Sequence, residues 1–373
     1  MANNNPIELI KALDVYLGSI IDYKFKKYEK LFKNLISIIK GYNTNQIAGD
    51  KLWLNGLRFV KADPMKPLTK DEFYSLASSS MENEPLVNIE NRVIGADLYY
   101  IYETFHLNVN DVLQTSSAPV NVKSEKQIKA DFNMALLMYL EQHVNRFWKL
   151  LMFITSKILE QGYVDVNGKR FGSDGTTWIS LPNLNWSNAS ADPLQDINDY
   201  ILALEYYNEM TAEIDTPPPV IIMGKNAYAK FRQNPNINDK LIRLDVSSYQ
   251  ELLKIDSMLS RDIVYQPISL GGLRVDFYVI QGKIKDPNTG NMVDMFDPNK
   301  VVILRPLENN IIFAFGVPPM IDLNNNLKIQ KDIYSIEQAN PIYPSSVNIK
   351  YRFISSFTAV VSEPTMGAMF SVS

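Results

Sequence analysis

Cysteine is absent from this 373-residue chain, so disulfides, thiolate metal sites and a cysteine nucleophile are excluded. Histidine is scarce: His106 and His143 are the only two, too few for the cluster that zinc enzymes use when thiolates are lacking. Charge of one sign is missing as well. Lys and Arg number 37 against 41 Asp and Glu, a net −4, which is not the balance of a strongly basic nucleic-acid binder. Long apolar runs are also missing. The longest, Ile311 to Ile321, is interrupted by Pro318-Pro319 and falls short of the roughly 20 residues that cross a bilayer. The start, Met1-Ala2-Asn3-Asn4-Asn5-Pro6, has no basic region followed by an apolar block, so no secretory signal is read there. The expectation is a soluble protein without a membrane partner, kept or assembled in a cytoplasm.

What is present is ordinary for a folded chain: 46% hydrophobic, 21% charged and 11% aromatic residues, long enough for two domains or one elaborate one. Residues 6 to 40 carry Leu9, Leu13, Leu17, Ile20, Tyr28, Leu31, Leu35 and Ile38 at helical spacing, with Lys24, Lys26, Lys27, Lys30 and Lys33 between them. That pattern reads as an arm whose apolar stripe packs on another subunit and whose lysines face water. From Leu52 to Val60 a strand is expected, with its return from Val93 to Tyr102. The long connection between them has turn chemistry and little apolar content, and reads as an arm reaching outward.

Residues 124 to 161 predict one long helix. Ser124-Glu125-Lys126-Gln127 forms a capping box, apolar residues keep helical phase from Ile128 to Ile158, and Gly162 stops the run. At 1.5 Å per residue this is a rod of roughly 55 Å, suited to a structural spine. Asn167-Gly168 between short alternating strands signals a hairpin, with Trp178 to Leu181 as a possible extension of its sheet. Asp192-Pro193 opens a helix through Tyr207. After Pro217-Pro218-Pro219, Val220 to Met223 reads as a buried strand, and Gly224-Lys225-Asn226 opens a helix that stops near Asn234-Pro235. Further strands are expected at 273–280, 301–304, 311–315, 347–361 and 366–372. Strands and helices mix without a regular βαβ repeat, which argues α+β.

Motifs that could carry chemistry resolve into structural readings. Gly224-Lys225 follows a strand but lacks the preceding glycine spacing, and Asn226 stands where a magnesium-binding Ser or Thr is needed. Asp286 to Asp297 loosely matches a calcium loop, yet Asn291 replaces the required glycine and Asp297 the glutamate, so a hairpin loop is read instead. Asp192, Asp196 and Asp199 sit in a first helical turn, where capping and the helix dipole account for them better than catalysis. His143 falls within the spine and reads as a helix histidine. No Gly-x-Ser-x-Gly elbow occurs. Asn185-Trp186-Ser187 and Asn188-Ala189-Ser190 match the glycosylation pattern but mean little without secretion. No catalytic, cofactor-binding or metal-ligating residue is assigned, no cofactor is expected, and the chain is read as a non-enzyme.

Three stretches, in their order, resemble the lambda-type major capsid protein E family of tailed bacteriophages. They are Trp186 with Asp192-Pro193-x-x-Asp196-Ile197, then Pro219-Val220-Ile221-Ile222-Met223-Gly224-Lys225-Asn226-Ala227-Tyr228-x-x-Phe231, and finally Ser355-Ser356-Phe357-Thr358-Ala359-Val360-Val361-Ser362-Glu363-Pro364. The likeness covers roughly residues 50 to 373. It implies the tailed-phage capsid fold: an N-terminal arm at 1–50, an extended loop at 51–110, a peripheral domain at 111–187 and 335–373 with spine helix 124–161, and an axial domain at 188–334. The long apolar N-terminal helix and the lack of glycine in the middle of the extended loop depart from the family pattern. With the sequence starting at Met1, no large scaffolding segment is expected to have been removed from it.

The function implied is self-assembly through hexamers and pentamers into an icosahedral shell around double-stranded DNA, held without sequence-specific binding. Expected partners are the chain itself, with portal and scaffolding or decoration proteins, and the expected location is the virion. Two alternatives accompany this reading: an encapsulin-like nanocompartment shell, and a hydrolase with an unrecognised site.

Overall fold

The structure is a computed structural model, and it describes residues 47–48, 51–61, 87–97, 99–108, 125–207, 218–237, 239, 246–270, 273–305, 311–316, 328–330, 335–338, 348–361 and 364–373. The expected N-terminal arm helix and the middle of the long connection lie outside these residues, as does the Ser124 cap.

The chain opens with strands β1 (Ile47–Ala48), β2 (Lys51–Lys61) and β3 (Val87–Asp97), a three-stranded sheet in which β2 and β3 pair antiparallel over 11 residues each. The expected return strand therefore splits at Leu98. Its first part pairs with β2, and its second, β4 (Tyr99–Asn108), leaves the ribbon for a different sheet. Helix α1 (Glu125–Gln161) follows at 37 residues, the length that the apolar phase predicts. It ends where Gly162 turns to φ +97, a left-handed conformation that glycine adopts without penalty. The carbonyls orphaned at this end find donors: Trp178 Nε1 reaches Leu159 O at 3.1 Å and the Trp178 amide reaches Gln161 O at 3.2 Å.

Strands β5 (Tyr163–Val166) and β6 (Lys169–Gly172) form the Asn-Gly hairpin, with φ of +49 at Asn167 and +75 at Gly168 as a primed turn requires. β7 (Ile179–Ser180) does not extend that hairpin's sheet. It pairs parallel with the last strand of the chain, because the Trp178 contacts to the end of α1 carry the backbone across to the neighbouring layer.

Next come α2 (Pro193–Tyr207), β8 (Val220–Gly224), α3 (Lys225–Gln233) and α4 (Val246–Met258). Then come β9 (Ile263–Leu270), β10 (Leu273–Ile280), the hairpin β11 (Lys283–Lys285) and β12 (Met292–Asp294), and β13 (Lys300–Leu304). The last elements are β14 (Ile311–Gly316), β15 (Lys328–Gln330), β16 (Ser335–Gln338), β17 (Asn348–Val361), a 3-10 turn at Pro364–Met366 and β18 (Gly367–Ser371).

Two larger sheets organise these strands. One has the order β7-β18-β13-β8-β10-β9. The other is built on the 14-residue β17, which pairs with β4 and then β6 along one edge and with β16 and then β14 along the other, while β5 extends beyond β6 and β15 beyond β16.

The first of these sheets is apolar on both faces, which is why Val220 to Met223 reads as an uninterrupted apolar run. Side chains alternate across it. Ile221, Met223, Phe277, Val279, Val301 and Ile303 face α2, α3 and α4, packing with Trp186, Phe231 and Phe370. Val220, Ile222, Tyr278, Ile280, Val302 and Leu304 face the other way and share a core with α1 and the β17 sheet. There Phe147 lies between Phe353 and Phe357 at ring distances of 5.5 and 6.1 Å, and Phe171 stacks on Phe357 at 5.5 Å. From Val144 onward α1 is buried along one side, whereas Met134 and Met138, one turn apart in its N-terminal half, are 67% and 57% exposed.

Candidate assembly surface

Three joints tie neighbouring elements together, the first of them at the end of α1. Glu160, 8% exposed, accepts from Lys157 Nζ at 2.6 Å and from Lys300 Nζ of β13 at 3.5 Å. Lys157 Nζ also donates to Asp294 O of β12 at 3.3 Å. One carboxylate thus ties the spine to the six-stranded sheet, and its charge balance explains how it tolerates burial. The second joint is a reciprocal amide contact between two hairpin tips. The Asn167 amide donates to Asn288 Oδ1, and Asn288 Nδ2 donates to Asp165 O, both at 2.9 Å. The third is internal to the α-helical layer. Asp256 on α4 accepts from Tyr228 Oη at 2.7 Å and Arg232 Nε at 2.9 Å, both on α3, and Arg232 lies 5.0 Å from the centre of the Tyr249 ring. Burial and this carboxylate together push the Tyr228 hydroxyl far above its ordinary range, so it stays a donor.

The sequence-predicted candidates take their places around these joints. Asp192 accepts from the Gln195 amide at 3.4 Å at the start of α2. Asp196 accepts from the buried Trp186 Nε1 at 2.9 Å, and Asp199 from Gln195 Nε2 at 2.7 Å. Asp192 and Asp196 are committed to the start of the helix, whereas Asp199, expected in that first turn, lies beyond it. Burial raises the Asp196 carboxyl from its ordinary value, against the pull of the Trp186 hydrogen bond.

At Gly224-Lys225-Asn226 the amides of Asn226 and Ala227 donate to Pro298 O at 2.8 and 2.9 Å. The first turn of α3 is therefore capped by a backbone carbonyl, and a Cβ on Gly224 would collide with Asp297 O. Asp286 to Asn291 form the β11–β12 hairpin turn, in which the Asp286 carboxylate accepts from the Asn288 amide at 2.8 Å and Thr289 Oγ1 at 2.9 Å. Among the described residues no group of three or more His, Asp or Glu could hold a metal ion. Asn185 and Asn188 serve turns, each accepting from an amide two residues on.

His143 is half-buried on α1 and borders a cleft of about 560 Å³. Tyr99, Ile101, Leu150 and Phe353 form its apolar wall; Arg146, Lys149 and Lys285 stand at its edge. The sequence did not single out Glu160 and Lys300, which the fold joins, or Arg146, which lines the cleft. The one available signal was spacing: His143, Arg146 and Lys149 recur every three residues and so share a helix face.

Residues 169–349 match the family model of phage major capsid protein E. Over this segment, 181 of the 373 residues, the chain is similar to the phage major capsid protein E family. The matched segment begins in the β5–β6 hairpin and ends in β17, and it contains the helical layer and most of the six-stranded sheet. No curated protein matches the chain. Among solved structures, a phage-related protein from Bordetella bronchiseptica RB50 is 9% identical, with 90% of this chain and 91% of that one covered, at a TM-score of 0.46. The capsid of Myoviridae phage XM1 is 11% identical over 91% and 92% of the two chains at 0.45. The encapsulin of Synechococcus elongatus PCC 7942 is 9% identical over 90% and 86% at 0.38.

The matched family is one of self-associating structural proteins of the phage head, and the chain is α+β in class.

Proposed function

We propose that this chain is a phage major capsid protein and assembles through hexamers and pentamers into an icosahedral shell that encloses double-stranded DNA. A ring of head-to-tail contacts closes each capsomer. The β2–β3 ribbon crosses an adjoining subunit and residues 1–50 clasp another. The peripheral part is 111–187 with 335–373, the axial part 188–334. Portal and scaffolding or decoration proteins complete the partners, assembly takes place in the host cytoplasm, and no reaction is catalysed.

The observation that carries this reading is the family match over 169–349. The ribbon supports it. β2 and β3 pair with each other throughout, and among the described residues the only other strand paired to either is the two-residue β1. An isolated two-stranded ribbon is marginal in water, so one 11 pairs long gains most from a partner surface. The net charge of −4 suits a container that releases its DNA, since each cationic phosphate contact would add salt-dependent grip.

The test is electron microscopy of the purified full chain together with its sedimentation profile. Closed polyhedral particles are expected. A stable monomer with hydrolase turnover would overturn the proposal, and particles that package an enzyme rather than DNA in the producing cell would favour the nanocompartment.

A further inference from the structure

Of the two edges of the six-stranded sheet, β7 is two residues long and β9 is eight, so β9 offers the longer row of main-chain groups. Among the described residues no strand pairs with the outer side of β9. Such an edge is a template for pairing with another chain, and identical copies packed side by side present it repeatedly. The sequence of β9, Ile263-Val264-Tyr265-Gln266-Pro267-Ile268-Ser269-Leu270, carries a proline near its middle.

The register shows which way that proline faces. Asp276 of β10 donates its amide to Pro219 O at 3.0 Å, beside β8, so its main-chain groups point toward β8 and away from β9. Its partner on β9 is Pro267. Opposite residues of an antiparallel ladder alternate between hydrogen-bonded and non-hydrogen-bonded pairs. Asp276 and Pro267 are therefore a non-bonded pair, and the Pro267 nitrogen and carbonyl point outward. Tyr265 and Tyr278, two positions along, form the next non-bonded pair. Side chains approach more closely in such pairs, and these two rings lie 4.7 Å apart. Ile263, Tyr265 and Pro267 thus turn their main-chain groups to the edge, while Val264, Gln266 and Ile268 turn theirs to β10. At an inward position a proline would cost the ladder with β10 a bond. At 267 it leaves that ladder intact and removes a donor from the edge alone.

Two β9 edges from neighbouring copies, meeting antiparallel, would make a self-complementary twofold contact and join two sheets into one. Because β7 at the opposite edge is only two residues long, the joined sheet would stop at two copies. A head-to-tail ring needs a different contact, and a twofold pair at this edge competes with it. In any register that overlaps most of β9, the Pro267 of each copy forfeits one ladder bond, and the carbonyl opposite it is left without a donor. We propose that Pro267 bars β9 from pairing with the β9 of a second copy, which keeps this edge of the axial part free for the ring. The proposal rests on the shell reading and adds to it the residue that excludes a competing dimer.

The experiment restores the donor. Pro267→Thr and Pro267→Ala, each in the full chain, add one main-chain N–H at the edge, and Thr also favours a strand. Self-association is followed by sedimentation below the concentration at which the parent assembles, with circular dichroism to verify folding and hydrogen exchange read over residues 263–267. With one bond regained from each copy, both variants are expected to dimerise at concentrations roughly tenfold below any at which the parent does. The amides of residues 265 and 267 are expected to exchange more slowly in that dimer. Loss of the rigid ring lowers stability through the unfolded chain but creates no dimer, so the readout is separate from a purely structural effect.

Where Thr at 267 impairs folding, Ala carries the test, since it adds the donor without a branched side chain. Folded variants that stay as monomeric as the parent, or that dimerise while the 263–267 amides exchange as in the monomer, overturn this inference and leave the shell reading standing. Particle formation by the parent is scored separately. A parent that forms no particles defeats the shell reading, while sedimentation of the variants still decides whether Pro267 guards the edge.

Discussion

Replacing Glu160 by Gln leaves two ammonium groups, Lys157 and Lys300, facing each other across a neutral amide. The side chains involved are 10% exposed for Glu160, 19% for Lys157 and 17% for Lys300, so water screens the loss only in part. Breaking a buried ion pair by removing one partner costs about 3–5 kcal/mol, and the residual exposure here places this case at the lower end, about 3 kcal/mol. With a urea slope of about 3 kcal/mol/M, the upper part of the range for small proteins, the midpoint should fall by about 1 M. The assay is urea unfolding of the full chain, followed by circular dichroism, at a protein concentration below that needed for assembly. The companion variant replaces Lys157, Glu160 and Lys300 together by Met. Because the penalty arises from orphaned charge, the triple replacement should recover most of the lost stability. A midpoint for Glu160→Gln within about 0.2 M of the parent, or a triple variant no better than the single one, would refute the claim that this carboxylate binds the spine to the sheet.

Three further outcomes can be checked. Asn288→Ala removes both hydrogen bonds between the hairpin tips and should cost about 1–2 kcal/mol, read as a lower melting temperature; an unchanged melt would mean the tips are not joined in solution. Gly224→Ala drives a Cβ into the backbone at Asp297, so the variant should be poorly folded or insoluble, and wild-type yield and melting would contradict the packing described. For Asp196 the sign follows from its raised carboxyl: the folded state holds the proton more firmly than the unfolded chain, so this group's contribution is fullest below the unfolded value of about 3.9 and is lost as pH rises through the folded one. Asp196→Asn keeps an acceptor for Trp186, so its stability relative to the parent should improve between about pH 3.5 and 7; a relative decline over that range would show that ionised Asp196 is favoured.

Local signals in the sequence are those that act within one turn or one strand, and they located most elements. The α1 helix was legible from its apolar phase and Gly162, the β5–β6 turn from Asn167-Gly168, and α2 from Asp192-Pro193. Pairing partners were not legible. Nothing near Leu98 announces that β3 and β4 belong to different sheets, and Ile179–Ser180 bears no mark of its pairing with residues 368–369. Such choices are made by cores assembled from distant segments, and period-two alternation is the same whichever sheet a strand joins. The joints were hidden for the same reason. Glu160 has the spacing of a common i, i+3 helix pair with Lys157, and only the fold brings Lys300 to it. Asp192 and Asp196 are legible as helix-start residues because capping is a local property, whereas Asp199, expected in the same turn, lies beyond it and pairs with the Gln195 side chain.

The placement of β18 has a temporal consequence. Residues 367–371 lie inside the six-stranded sheet, between β7 and β13, and the final residues hydrogen-bond backward, Val372 to Asn299 O and Ser373 to Leu184 O. On synthesis, β13 stays open along that side until the segment after residue 366 has been made, more than 60 residues later. Deleting residues 367–371 would therefore strip the sheet of an interior member rather than trim an edge, and would open both of the cores that the sheet separates.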